Sequence, residues 1–158
     1  MEETQLSTIA DLLSPKDILL NLEVASKDQL FEAIGRHMEG NHGMPQEWVV
    51  LSLSRREQVG STGLGDGVAV PHARIKDLAR IQLAYVRLKS PIPYDAPDGK
   101  PVSEILVLLV PKQATEEHLS ILAEATRMFS DQQFRLRLGR CNEVQQAKRL
   151  FNEWSIPA

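Results

Sequence analysis

Apolar positions along the chain alternate between a period of two and a period near 3.6, and the switches mark out the elements. Residues 7–13 have the pattern of a short helix, stopped by Ser14-Pro15. Residues 17–24 (DILLNLEV) read as a first strand. From Ser26 the period lengthens: Leu30, Ala33, Ile34 and Met38 share one helical face, and Ser26 with Gln29 makes a capping-box start. Pro45 suits the first position of a second helix, which Trp48, Val49, Leu51, Ser52 and Leu53 carry to Arg55-Arg56-Glu57. Val68-Ala69-Val70 is a short apolar strand, and Pro71, which has no N–H for a ladder, should end it.

Residues 74–80 read as a polar connection. Residues 81–88 (IQLAYVRL) alternate, as a strand with one exposed face does. Residues 104–110 (EILVLLV) are continuously apolar, the pattern of a central strand covered on both faces, and Pro111 closes them. Thr115 is the expected N-cap of the next helix, with Glu116 and Glu117 at the positive end of its dipole. Leu119, Leu122, Ala123, Thr126 and Phe129 would form its apolar stripe. Residues 131–138 give a short helix closed near Gly139. Asn142 is the expected cap of the last helix, with Gln145 at the capping-box position and Val144, Ala147, Leu150, Phe151 and Trp154 packing inward; Pro157 ends it. The predicted order is β-α-α-β-β-β-α-α-α, an α+β (mixed α/β) fold without repeats.

Composition narrows the class. The 158 residues suit one domain, 1–158, with a substantial core. A net charge of −3 without a basic cluster argues against a nucleic-acid partner. The start lacks a basic segment before an apolar core, and no apolar run approaches a membrane span, so no membrane insertion and a cytoplasmic location are expected. The single cysteine, Cys141, excludes an internal disulfide and reads as structural. His37 and His42 have no partner at a metal-ligand spacing, and no metal or cofactor is expected.

Candidate chemistry gathers in residues 55–74, RREQVGSTGLGDGVAVPHAR. Four of the nine glycines, Gly60, Gly63, Gly65 and Gly67, lie there, with Ser61 and Thr62 between them. Such a loop offers backbone N–H groups to an oxyanion. His72 stands at the exit of the apolar triplet, where mixed α and β folds place reactive groups. Arg56 lies at the edge of the loop, and a guanidinium fork matches phosphate oxygens. No Gly-Lys-Ser/Thr follows the glycines, and they do not open a helix after a strand, which speaks against the P-loop and the dinucleotide fingerprint. On these grounds alone His72 is either structural or reactive, and His118 is either a solvated first-turn residue or part of a site. The long Pro-rich stretch 90–101 (SPIPYDAPDGKP) is either a hairpin connection or a flap, with no chemistry assigned.

The run from Glu57 to Ala73 resembles the phosphohistidine signature of the fructose/mannitol/nitrogen class of enzyme IIA proteins, in the bacterial phosphoenolpyruvate phosphotransferase system. The signature is an acidic or amide residue, six free positions, a large apolar residue, Gly or Ala, two free positions, then apolar-Ala-apolar-Pro-His-small. Here these are Glu57, Leu64-Gly65 and Val68-Ala69-Val70-Pro71-His72-Ala73. The resemblance implies a three-layer α/β/α sandwich with a mixed sheet. It also implies a phosphotransferase that carries phosphate on His72, with Arg56 (from Arg56-Glu57) and His118 (from His118-Leu119) beside it. N–H groups from Ser61 to Gly63 and the Thr62 hydroxyl would hold the phosphoryl oxygens.

The donor that the resemblance implies is HPr, the histidine phosphocarrier protein, or its nitrogen-branch paralogue. The nitrogen-regulatory type, acting on a target protein, fits best. A sugar-specific enzyme IIA that passes phosphate to an enzyme IIB is the alternative, and a protein-binding module that is not phosphorylated is a third reading. The family reaction needs no metal or cofactor.

Overall fold

The computed structural model describes residues 8–113 and 116–154; the expectations for Ser7, Thr115 and Pro157 fall outside them. Among the described residues are six strands in one mixed sheet. They are β1 (Ile18–Leu22), β2 (Gly63–Gly65), β3 (Val68–Ala69), β4 (His72–Ile75), β5 (Gln82–Ile92) and β6 (Val102–Pro111). The strand order is β1-β5-β6-β3-β2, with β4 also paired to β6. β1 runs parallel to β5, β5 antiparallel to β6, and both β3 and β4 parallel to β6.

The apolar run of β6 explains the layering. Ile105, Val107 and Leu109 point into one buried cluster, and Leu106, Leu108 and Val110 into the other. The alternation of a strand thus feeds two cores. One core is closed by α2 (Lys27–His42) and α3 (Gln46–Val59), the other by α1 (Ile9–Leu12), α4 (Glu116–Ser130), α5 (Gln132–Gly139) and α6 (Val144–Trp154). The sheet therefore lies between two helical layers. Each fully buried Leu, Ile or Val contributes about 1.5–3 kcal/mol relative to exposure. On the α6 side Tyr85, Phe129, Phe134, Phe151 and Trp154 form a chain of ring contacts with centroids 5.4–6.4 Å apart.

Capping chemistry fixes the helix starts. Thr8 and Asp11 form a reciprocal capping box at α1. The Ser26 hydroxyl accepts from the Gln29 N–H, while the Gln29 carbonyl reaches one residue further back, to Ala25. Asp131 accepts from the N–H groups of Gln133 and Phe134. At α6 the returning side chain is Gln146 rather than Gln145: it accepts from the N–H groups of Asn142 and Glu143.

Three expectations about elements need correction. Residues 74–80 are not wholly a connection, because Arg74 and Ile75 belong to β4. β5 does not have one exposed face; Leu83, Ala84, Tyr85 and Val86 are all buried, since helices cover both sides of the sheet. The buried face of α4 is Ile121, Ala125, Met128 and Phe129, while Leu119 stays 65 % exposed.

A fourth correction concerns His37 and His42. Both imidazoles reach one partner across the fold: each Nε2 lies 2.7 Å from Oδ1 of the buried Asp17. Burial pushes the Asp17 carboxyl up, but the two imidazole hydrogen bonds and their charges outweigh it, and the net direction is down.

Candidate active site

The glycine-rich stretch is a tight β-hairpin built beneath His72. α3 ends at Val59, and β2 and β3 pair antiparallel around Asp66-Gly67. Both turn residues have positive φ (56° and 81°), the requirement of a two-residue hairpin turn and the reason glycine serves there. The Thr62 carbonyl accepts from the Val70 N–H, 3.0 Å, which ties the loop to the residue two before His72.

Pro71 breaks the edge of the sheet without ending it. β3 pairs with Glu104 and Ile105 of β6, and the chain rejoins β6 at His72 opposite Leu108. At the break, the His72 ring turns back on its own chain: Nδ1 lies 2.9 Å from the Val70 carbonyl oxygen. A carbonyl only accepts, so Nδ1 carries the hydrogen, and in the neutral tautomer Nε2 has the lone pair.

Alternation along β4 places Ala73 and Ile75 in the core against α2 and α3, so His72 and Arg74 share the opposite face. His118, in the first turn of α4, meets them there. Its ring centroid is 6.4 Å from that of His72 at an interplanar angle of 56°. Both His118 ring nitrogens are buried without a hydrogen-bond partner among the described residues. Burial first, then the neighbouring His72 and Arg74, push the His118 pKa below the usual imidazole range. A buried polar group without a partner costs about 1–3 kcal/mol.

The model for "phosphoenolpyruvate-dependent sugar phosphotransferase system, EIIA 2" matches residues 11–154. The chain belongs to this enzyme IIA family. A nitrogen regulatory protein of Bradyrhizobium diazoefficiens is 34 % identical over 137 residues, 87 % of this chain and 90 % of that one. The crystal structure of the nitrogen regulatory protein IIA-Ntr of Neisseria meningitidis is 39 % identical, covers 90 % of this chain and 98 % of its own, and superposes with a TM-score of 0.86. A complex of enzyme IIA mannitol with phosphorylated enzyme IIB mannitol from Escherichia coli shares the fold at 18 % identity, with a TM-score of 0.75 over 90 % of this chain and 99 % of that one.

Within this enzyme IIA, the other expected site residues divide into two groups. Arg56 stands over the mouth of the glycine loop, where Nη1 donates to the Gly60 carbonyl at 2.7 Å, and four of its five N–H donors remain beyond that bond. Thr62 and Gly63 are committed to the protein itself. The Thr62 N–H and hydroxyl both donate to the Glu57 carboxylate, at 3.0 and 2.6 Å, and the Gly63 N–H donates to the Ser61 hydroxyl. Ser61 in turn donates to the Tyr94 carbonyl. These groups shape the loop; the Thr62 hydroxyl and the two N–H groups, expected to face a phosphoryl group, already have partners.

Sequence reasoning missed what holds them. The Glu57 carboxylate also takes Lys27 at 2.9 Å, Lys27 lies over the Tyr94 ring at 4.3 Å, and the Tyr94 hydroxyl meets the Thr62 hydroxyl at 2.9 Å. Burial, with Glu57 close by, pushes the Tyr94 hydroxyl far above its usual range, so it remains protonated. Tyr94 and Ala96 come from the Pro-rich connection between β5 and β6, which is therefore a support for the site. Ala96 packs so close to Gly63 that a Cβ there would lie 2.9 Å from the alanine Cβ. Arg74 was missed too, because four residues after a proline, with an arginine inside, do not read as a strand.

Proposed function

We propose that this protein accepts a phosphoryl group on Nε2 of His72 from a phosphohistidine carrier, HPr or its nitrogen-branch paralogue, and acts as a nitrogen-type regulator. The observation that carries the chemistry is the His72 Nδ1 hydrogen bond to the Val70 carbonyl. With the Nδ1 hydrogen held by that carbonyl, the nitrogen left to act as nucleophile is Nε2. In the transfer, the Nε2 lone pair forms a bond to phosphorus as the donor's P–N bond breaks, and that electron pair returns to the donor imidazole. Such a step requires positioning and charge stabilisation more than covalent help.

His118 donates one hydrogen bond to a phosphoryl oxygen, which gives its buried ring the partner it otherwise lacks. Arg74, whose charge acts on His118, and Arg56, at the glycine loop, supply positive charge. Ser61, Thr62 and Gly63 act by holding the hairpin in shape. A place in the cytoplasm follows from a donor of this kind, and among the described residues no helix is long and apolar enough to cross a membrane.

The regulatory reading is supported by similarity to nitrogen regulatory proteins along most of the chain. Transfer onward to an enzyme IIB is the second reading, supported by the sugar system named in the matching family description. The test is incubation with phosphoenolpyruvate, enzyme I and HPr, or their nitrogen-branch equivalents, followed by intact mass. One acid-labile phosphoryl group on the wild type, none on His72→Ala, is the expected result. Equal labelling of both proteins, or of neither, refutes the carrier role.

A further inference from the structure

We infer that Asp17, His37 and His42 form a binding site for one divalent transition-metal ion, zinc by the chemistry of its ligands, at the same end of the sheet as His72. Asp17 closes a one-turn 3-10 helix (Pro15–Asp17) directly before β1, and no part of it is exposed. The last turns of α2 bring the two imidazoles to it, and Gly43 in the left-handed conformation ends the helix just beyond His42. One ligand atom from each of the three side chains lies within 4.8 Å of the other two. Two imidazole nitrogens and one carboxylate oxygen are the donor set that zinc takes when a fourth position is left to water.

Two of the three ligand spacings are close to those of a ligated ion, and the third is no more than 4.8 Å. Bonds of about 2.05 Å in a tetrahedron separate ligand atoms by about 3.3 Å. Each Nε2 now lies 2.7 Å from Oδ1, so metal entry asks each ring to draw back by about 0.6 Å. In the metal-free protein each Nε2–H donates to the carboxylate. With the ion bound, both Nε2 lone pairs face the metal, and each ring carries its hydrogen on Nδ1.

The outer groups suit this change. Gln82 donates from Nε2 to the other carboxylate oxygen at 3.0 Å and fixes its orientation. Asn41 lies 3.2 Å from Nδ1 of His37. The same amide nitrogen donates to the His37 backbone carbonyl at 2.9 Å, so Asn41 stays on the backbone and water takes the outer position on a metal-bound ring. A cleft of about 320 Å³, lined by His42 and Gln82 together with Asp11, Met44 and Arg80, lies beside the cluster.

The site is separate from the phosphorylation site but coupled to the same strands. Gln82 pairs with Leu109 of β6, and Ala73 pairs with Leu109 from the other side. Gln82 and Ala73 are thus two strand spacings apart, roughly 10 Å. A bound ion would fasten the end of α2 and the start of β1 to this sheet end, and would stabilise the fold by mass action.

The experiment uses the full chain without a polyhistidine tag, stripped with a chelator and titrated with zinc chloride by calorimetry. One ion per chain is expected, with affinity falling by about tenfold or more in His37→Gln and in His42→Gln and unchanged in His72→Ala. In parallel, ring NMR signals of the wild type are followed during the titration, which needs no variant to fold. Saturable shifts of the His37 and His42 rings support the site. Unshifted His37 and His42 rings, or binding that survives both glutamine variants and disappears in His72→Ala, overturn it. Phosphorylation of His72 is measured separately on the same samples, so failure of the carrier reading and failure of the metal site are distinguishable.

Discussion

At the scale of single residues, hydrogen-bond direction decides the chemistry. In the proposed transfer the Val70 carbonyl fixes which nitrogen of His72 attacks, and nothing in the order of residues announced that bond, because it depends on a strand interrupted at Pro71. His118 was legible only through its His-Leu pair; its unpartnered burial required the fold. Because burial, His72 and Arg74 all push its pKa down, its titration midpoint followed by ring NMR is expected below about 6.5, and to rise part of the way back in Arg74→Gln. The same shift has a sign for stability. As pH falls through about 6.5, the unfolded chain takes a proton that the folded site resists, so stability is lost there and unaffected above it. Denaturation midpoints should accordingly show His118→Gln gaining on the wild type only on the acid side. A second residue-scale expectation concerns Tyr94→Phe. It removes the hydroxyl that meets Thr62 and should cost about 1 kcal/mol in urea denaturation, whereas Glu57→Ala strands Lys27 and both Thr62 donors and should cost about 2–4 kcal/mol.

At the scale of elements, the glycine-rich stretch is a hairpin clamped between α3 and the Pro-rich connection. The sequence suggested an open cradle because glycines and small polar residues look alike in both arrangements; the side chain that takes the loop donors, Glu57, was read only as a signature position. Close packing gives a direct check. Gly63→Ala forces a methyl against Ala96 and should destabilise the fold by about 1–3 kcal/mol and slow phosphorylation, with Ala96→Gly restoring part of both. β4 was illegible for a related reason: a four-residue strand gets its definition from parallel pairing with β6, which local pattern does not contain. If Arg74 acts from that strand, Arg74→Gln should lower the transfer rate while leaving the unfolding midpoint nearly unchanged, since its side chain is exposed. The stripe of α4 was misplaced by one face because Leu119 is apolar yet outward-facing.

At the scale of the whole molecule, the layering was the most legible feature, since the unbroken apolar run of β6 can only be satisfied by helices on both faces. The two cores share that strand. Leu106→Ala should therefore cost about 2–5 kcal/mol and lower the single unfolding transition rather than split it, as followed by circular dichroism. The central claim is that this scaffold holds His72 as a carrier through Nε2. NMR of the phosphorylated, nitrogen-15-labelled protein tests it most directly, because the coupling pattern identifies both the residue and the nitrogen bearing phosphorus. Phosphate on Nε2 of His72, with Nδ1 still protonated toward Val70, is the result predicted. Phosphate on Nδ1, or on another residue, would contradict it.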